Sequence, residues 1–308
     1  MNDTTIPSGR AGGRKPGAEP ARLGRGRLTA RRFLRNRLAV AGAIGILLLV
    51  VVAVGGPYFL PWHFDDIDTS AFLKPPSAEH VFGTTQAGRD VLALVVRGMS
   101  RSLIIGFVVA VAWTLLASVM GSVAAYFGGW VERIILWVID LLLIVPSFLI
   151  VATATRGAPQ GDMAWVALVI AMAALGWMLT ARVVRSMTMS LKQREYVLAA
   201  RFMGLGSFRI IARHILPNIS SYLIIDITLG VGSAILGETG YSFLGFGVQA
   251  PDTSLGTLMA EGASLATSFP WIFLLPACVL IFLVMCVNAV GDGLRDALDP
   301  SSASGGQA

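Results

Sequence analysis

Six runs of predominantly apolar residues, each long enough to cross a bilayer, constrain this chain more than any other feature. Spanning about 30 Å of hydrocarbon at about 1.5 Å per helical residue takes roughly 20 residues. The runs are Leu38 to Leu60, Ser102 to Trp130, Ile134 to Ala154, Met163 to Ala181, Ile219 to Gly237 and Trp271 to Gly291. Backbone in hydrocarbon must satisfy its own hydrogen bonds, so each run is expected to be a helix. The second exceeds one crossing and is expected to tilt or to begin in the interface. The expected fold class is an all-α integral membrane protein with six transmembrane helices. An apolar content of 55% against 14% charge in 308 residues points the same way, since a soluble surface needs more charge. The first run exceeds a signal-peptide core and no small-x-small site follows it, so it reads as an uncleaved span.

Basic residues then orient the chain, because short loops rich in Lys and Arg stay cytoplasmic. With the N-terminus inside, only Lys74, Arg89, Arg97, Arg101 and Arg156 of the 24 basic residues fall outside. Both termini are therefore expected in the cytoplasm. Residues 1–30, rich in Gly, Pro, Arg and Ala without apolar periodicity, read as a disordered basic tail. Residues 31–300 form the membrane domain, and 301–308 a second disordered tail. Nucleic-acid binding is not supported: the arginines precede a membrane span, where anionic lipid and topology explain them. The external segment 61–101, with Asp65, Asp66, Asp68, Pro75, Pro76 and Gly83, suits turns and short helices.

Between spans four and five lies a polar but patterned loop, residues 191–218, reading LKQREYVLAARFMGLGSFRIIARHILPN. Tyr196, Ala199, Ala200 and Met203 fall at i, i+3, i+4 and i+7, which makes one apolar face of a short helix. Glu195 suits the positive end of its dipole, and Gly204 followed by Gly206 supplies a left-handed stop. Ser207 can cap a second short helix, and Pro217 begins the next span. Two alanines leave the first helix nearly bald, so another protein could approach closely. A helix lying flat on lipid headgroups is the alternative.

Only the third and fifth runs contain a charge, Asp140 and Asp226. Each costs roughly 2.5 to 3.5 kcal/mol in hydrocarbon unless it faces protein or water. Both are placed at a similar depth, about 9 to 10 Å from the cytoplasmic edge. Either they flank a pathway or each satisfies a neighbouring helix. Pro146 removes a backbone donor and is expected to kink span three, as a hinge or a static bend. Glu238 and the following Gly240, Gly245 and Gly247 read as irregular backbone after span five, in an external gate or a packing turn.

Several chemistries lack their residues. The lysines Lys15, Lys74 and Lys192 never follow Gly, so no phosphate-binding Gly-Lys-Ser/Thr loop exists. His63, His80 and His214 are isolated, and no metal-ligand spacing occurs. No nucleophile elbow supports a membrane hydrolase. Cys278 and Cys286, about 12 Å apart along a helix, are beyond disulfide reach and read as packing residues.

The 191–218 loop resembles the coupling motif of ABC importer permeases, Glu-Ala-Ala, three residues, Gly, nine residues, Ile-x-Leu-Pro. Ala199, Ala200, Gly204, Leu216 and Pro217 fall in register, with Leu198 and His214 at positions where the motif has an acid and Ile. The stretches Glu195 to Arg201 and Arg213 to Asn218 are similar to the peptide branch. Phe82 to Asp90 resembles that branch's external FGTDxxGRD segment, with Thr85 in place of Asp. Gly237 to Gln249 and Asn288 to Pro300 resemble its later segments, and the order suggests the C-type member of a permease pair.

The resemblance implies a bacterial plasma-membrane subunit forming half of a dipeptide or oligopeptide pathway. It implies a sister permease, two cytoplasmic ATP-binding subunits and an external solute-binding protein as partners. ATP and Mg would be bound there, with no cofactor on this chain and no catalytic residue in it. Glu195, Tyr196, Ala199, Ala200, Met203, Gly204, Leu216 and Pro217 would dock the ATPase, and Asp140, Asp226 and Glu238 would serve the pathway or gate. Nickel or another small solute is the alternative cargo. A transporter driven by an ion gradient through Asp140 and Asp226 is the alternative class.

Overall fold

In the computed structural model the described residues are 25–156 and 164–298. The expected tails, up to residue 24 and from 301, and the expected start of span four at Met163 lie outside them. Among the described residues every regular element is a helix, with one isolated bridge between Thr84 and Asp90.

The chain enters through α1 (Arg25–Arg35), so the expected disorder does not extend to residue 30. Its Phe33 packs near Gly293 of the last helix, which gives this arginine-rich segment an apolar anchor. Asn36 then caps α2 (Arg37–Phe59), its side chain accepting from the backbone of Leu38 and Ala39.

The central element is α3 (Val91–Phe127), 37 residues and so about 55 Å long. It begins well before the expected Ser102, because the Asp90 carboxylate accepts from Ala93 N at 2.8 Å and caps it there. The segment ahead of it, 61–90, is built of turns without the expected short helices. It is held by Gly83, whose φ of +76° brings the backbone against the Trp271 indole.

Each of the expected spans three and four is a bent pair of helices. Pro146 forces Val145 into extended backbone (φ −79°, ψ 126°), so α4 (Gly129–Ile144) and α5 (Ser147–Arg156) meet at 83°. This is close to a right angle, well beyond a kink. Helices α6 (Ala164–Gly176) and α7 (Met178–Leu191) bend by 41° at Trp177, and α7 continues past the expected end at Ala181.

After the polar loop, with α8 (Glu195–Phe202) and α9 (Ser207–Ile210), a π-helical turn at Ile211–Ile215 leads into α10 (Leu216–Phe243). Pro217 in the first turn cannot donate a backbone hydrogen bond, which accounts for the local widening. Helix α10 runs through Glu238 and Gly240, so the expected irregular backbone starts only near Leu244. Helices α11 (Leu255–Ala263) and α12 (Trp271–Leu298) complete the chain.

Four of these helical stretches are long and apolar enough to cross a membrane, and six crossings result if each bent pair is one span. Helix α3 contacts α2, α4, α6, α7, α10, α11 and α12 and is the post around which the rest pack. Where α2 meets α12, a Cβ at Gly45 would lie 2.4 Å from Cys286 Sγ, so close approach requires glycine. Cys286 is a packing residue as expected, whereas Cys278 is exposed.

Candidate functional site

The candidate residues gather in two regions, one towards each end of α3. At its last residues lies the patterned loop: Lys192 Nζ donates to Ala125 O at 2.7 Å, and the rings of Phe127 and Phe208 are 5.6 Å apart. Glu195 sits in the first turn of α8, favourable for the helix dipole. Gly204, at φ +80°, ends the helix with Gly204 N donating to Arg201 O and Leu205 N to Ala200 O. That pair of bonds is the Schellman stop expected of glycine. The second short helix is capped by Gly206 and not by the side chain of Ser207.

The face of α8 differs from expectation in one residue that matters. Ala200 is only 1% exposed and, with Val197, packs into Ile210, Ile211 and Ile215 of the same chain. It cannot meet a partner. The outward surface consists of Glu195, Tyr196, Leu198, Ala199, Phe202, Met203 and Phe208, with Phe202 at 89% exposure. Leu216 is half-buried, and Pro217 is exposed at the start of α10. Phe202 and Phe208 were legible only as large apolar residues among arginines, since neither belongs to the four-residue stripe.

Helix α7 links this loop to both intramembrane aspartates. Thr180 donates to one oxygen of Asp226 at 3.1 Å, and Thr114 donates to the other at 2.6 Å. Two residues along α7, Arg182 pairs with Asp140. The aspartates are thus not brought together: each is satisfied by its own partners. Asp140 remains 60% exposed at its side chain, so it is neutralised by pairing and not by burial. Arg185 of α7 donates through Nε to Glu132 at 2.6 Å.

Towards the other end of α3, beside Ser102, Glu238 of α10 is fully buried. It accepts from Ser102 at 3.0 Å and Ser242 at 2.5 Å, and Ser254 Oγ lies 3.2 Å from Ser242 Oγ. This carboxyl fastens α3, α10 and the start of α11 and does not line an open path. Nearby, Asp252 pairs with Arg97 and Arg101 of α3. His80 lies between Asp90 (2.9 Å) and Asp68 (3.3 Å), stacked on Trp62. Burial works against its protonation, but hydrogen bonds donated by the ring to the Asp90 and Asp68 carboxylates outweigh that and raise its pKa. Among the described residues no group of three His, Cys, Asp or Glu could hold a metal ion.

Residues 114–303 match the family model described as binding-protein-dependent transport system inner membrane component. The chain belongs to that family. Residues 24–76 also match the N-terminal transmembrane domain of oligopeptide transport permease C. The chain is 52% identical over 278 residues to the oligopeptide transport system permease protein OppC of Mycobacterium tuberculosis (strain ATCC 25618 / H37Rv), covering 90% of this chain and 95% of that one. It is 37% identical over 269 residues to OppC of Bacillus subtilis (strain 168), covering 87% of each. It is 35% identical over 275 residues to the dipeptide transport system permease protein DppC of Alkalihalophilus pseudofirmus, covering 89% of each.

This inner-membrane component is a multi-pass membrane protein, in keeping with its apolar helices. Its matched region starts at Thr114, the residue that holds Asp226, and includes the whole of α7, α8 and α10. The hydroxyl shell of Glu238 escapes sequence reading in part: Ser242 lies one turn away, but Ser102 and Ser254 are distant in the chain. Arg97 and Arg101 look like loop charges until Asp252 is placed beside them.

Proposed function

We propose that this permease forms half of the translocation path of an ATP-driven importer for dipeptides or oligopeptides. Its partners are a sister permease, two cytoplasmic ATPases that bind ATP and Mg, and an external solute-binding protein. The relatives' names support the peptide cargo. The coupling reading rests on one observation above others: α7 carries Thr180 and Arg182 on the two intramembrane aspartates and leads directly into α8. A push on the exposed Tyr196, Phe202 and Met203 of α8 therefore passes through the short turn at 192–194 into α7, the single helix that carries both polar contacts. No chemical step falls to this chain. The basic-residue asymmetry supports an orientation with α8 and both termini in the cytoplasm and the 61–90 segment outside.

The test is reconstitution of the four components and the binding protein in proteoliposomes. Peptide uptake that requires ATP, and is lost in Met203→Glu while the subunit stays inserted, is the expected result. Uptake by the membrane subunits alone on a proton or sodium gradient would place the chain in the gradient-driven class instead. Transport of nickel but not peptide would keep the mechanism and change the cargo.

A further inference from the structure

Outside the start of α3, the 61–90 segment, the loop before α11 and α11 itself enclose a cavity of about 380 Å³. That falls within the roughly 300 to 1,000 Å³ usual for small-molecule sites. Its lining mixes apolar Leu94, Leu265 and Ile272 with the hydroxyls of Thr253 and Thr257, and it carries opposite charges, Arg89 and Glu261. Asp252 also faces it but is already engaged by Arg97 and Arg101.

Arg89 and Glu261 are not spent on each other. No ion pair joins them among the described residues, and Arg89 Nε is buried without a hydrogen-bond partner. A buried guanidinium nitrogen left so is costly, and an incoming carboxylate would satisfy it. The Arg89 backbone is held by Thr85, whose hydroxyl accepts from Arg89 N at 3.2 Å, so the guanidinium is carried on an anchored turn. Glu261 projects from α11 and is exposed, free to receive a cation. Partial burial of its carboxyl raises its pKa, and the Arg89 charge opposes that.

We propose that this cavity receives the two charged termini of a short peptide, the carboxylate on Arg89 and the ammonium on Glu261. The proposal rests on the peptide reading above. A dipeptide extends about 7 Å at most, so one molecule suits a site whose two charges face a single small cavity. Recognition through the two charged termini accepts many side chains and rejects capped ends. The site would hold peptide at the outer mouth after its release from the binding protein.

The experiment uses the full chain in phosphatidylcholine nanodiscs, titrated with Ala-Phe, N-acetyl-Ala-Phe and Ala-Phe-amide. Saturable binding of free Ala-Phe is expected, at least about tenfold weaker for either capped form, as befits loss of one charge-assisted contact. Arg89→Gln should lose discrimination against the amide alone, and Glu261→Gln against the acetyl form alone. Arg89→Lys, which keeps the charge, should retain preference for the free carboxylate. Equal affinity for all three peptides, no saturable binding, or variants that keep both discriminations would overturn the site. ATP-driven uptake of Ala-Phe by the reconstituted system tests the underlying reading separately. Its absence defeats peptide import, while terminus-dependent binding by the chain alone would still establish the site.

Discussion

Trp113 fills the space that any side chain at Gly176 would need: a Cβ there would lie 1.9 Å from Trp113 Cε3. Gly176 ends α6 at the 41° bend, and the same indole rests on Gly230 of α10, where a Cβ would come within 3.0 Å. One ring of the central post is thus notched between two neighbouring helices. Gly176→Val overpacks this notch and is expected to destabilise by about 1 to 3 kcal/mol. Trp113→Ala leaves a cavity and costs about 3 to 5 kcal/mol. Because the two changes share one space, the double variant should lose clearly less than their sum. Thermal unfolding in detergent of the four proteins checks this, and strict additivity would show that the bend does not depend on the indole.

The α8 surface makes opposite predictions for adjacent positions. Ala200→Arg drives a guanidinium among Val197, Ile210, Ile211 and Ile215, at about 3 kcal/mol or more. Its transport defect would come with a fall in folded yield. Phe202→Ala and Met203→Glu change exposed side chains and should shift stability by no more than about 0.5 kcal/mol. They should nevertheless lose co-purification with the ATPase. Pull-down alongside thermal unfolding separates the cases. Full ATPase binding in both exposed variants would remove this surface from the docking reading.

Those residues also show what sequence could reveal. The apolar runs are legible because hydrocarbon tolerates no other composition, and Gly204 is legible because a left-handed stop has one favoured residue. The i, i+3, i+4, i+7 stripe identifies α8 as a helix but not which side its own chain covers. That depends on Ile210, Ile211 and Ile215 folding back, a tertiary fact. Pro146 announces a break, but its 83° amplitude comes from Val145 taking extended backbone. Asp140 and Asp226 are legible as groups needing partners, while Arg182, Thr180 and Thr114 become those partners only once α7 and α3 are placed. Gly240 looks like a helix breaker, yet α10 runs through it to Phe243.

His80 predicts a pH response in the 61–90 segment. Its imidazole is enclosed by Trp62, Asp68 and Asp90, with Glu79 adding to the field. The folded-state pKa is raised above 6.5. The protonated ring therefore stabilises the segment fully below the unfolded value, and that contribution is lost as pH rises through the folded value. Hydrogen exchange of residues 61–90 should be slower near about pH 5.5 than near about pH 8, after correction for intrinsic rates. In His80→Gln the difference should vanish. A pH dependence that survives the substitution would assign it to another group.

Glu238 gives the sharpest test of a reading that the structure altered. A gate carboxylate would be open to the path, but this one is fully buried. Ser102 and Ser242 donate to it, and Leu255 N in turn donates to Ser102 Oγ at 3.3 Å. Ser254 extends the network and receives Thr257 N at 3.2 Å, so the N-terminal turn of α11 is fixed through Glu238. Glu238→Ala strands buried hydroxyls and opens a cavity, at about 2 to 4 kcal/mol. Glu238→Gln keeps the volume and part of the bonding and should cost about 1 kcal/mol. Thermal unfolding should rank the variants in that order, and hydrogen exchange should rise in residues 245–257 for Glu238→Ala first. If Glu238→Ala instead left stability and exchange unchanged while altering transport, the carboxyl would belong to the pathway and its burial would mark only one state of the gate.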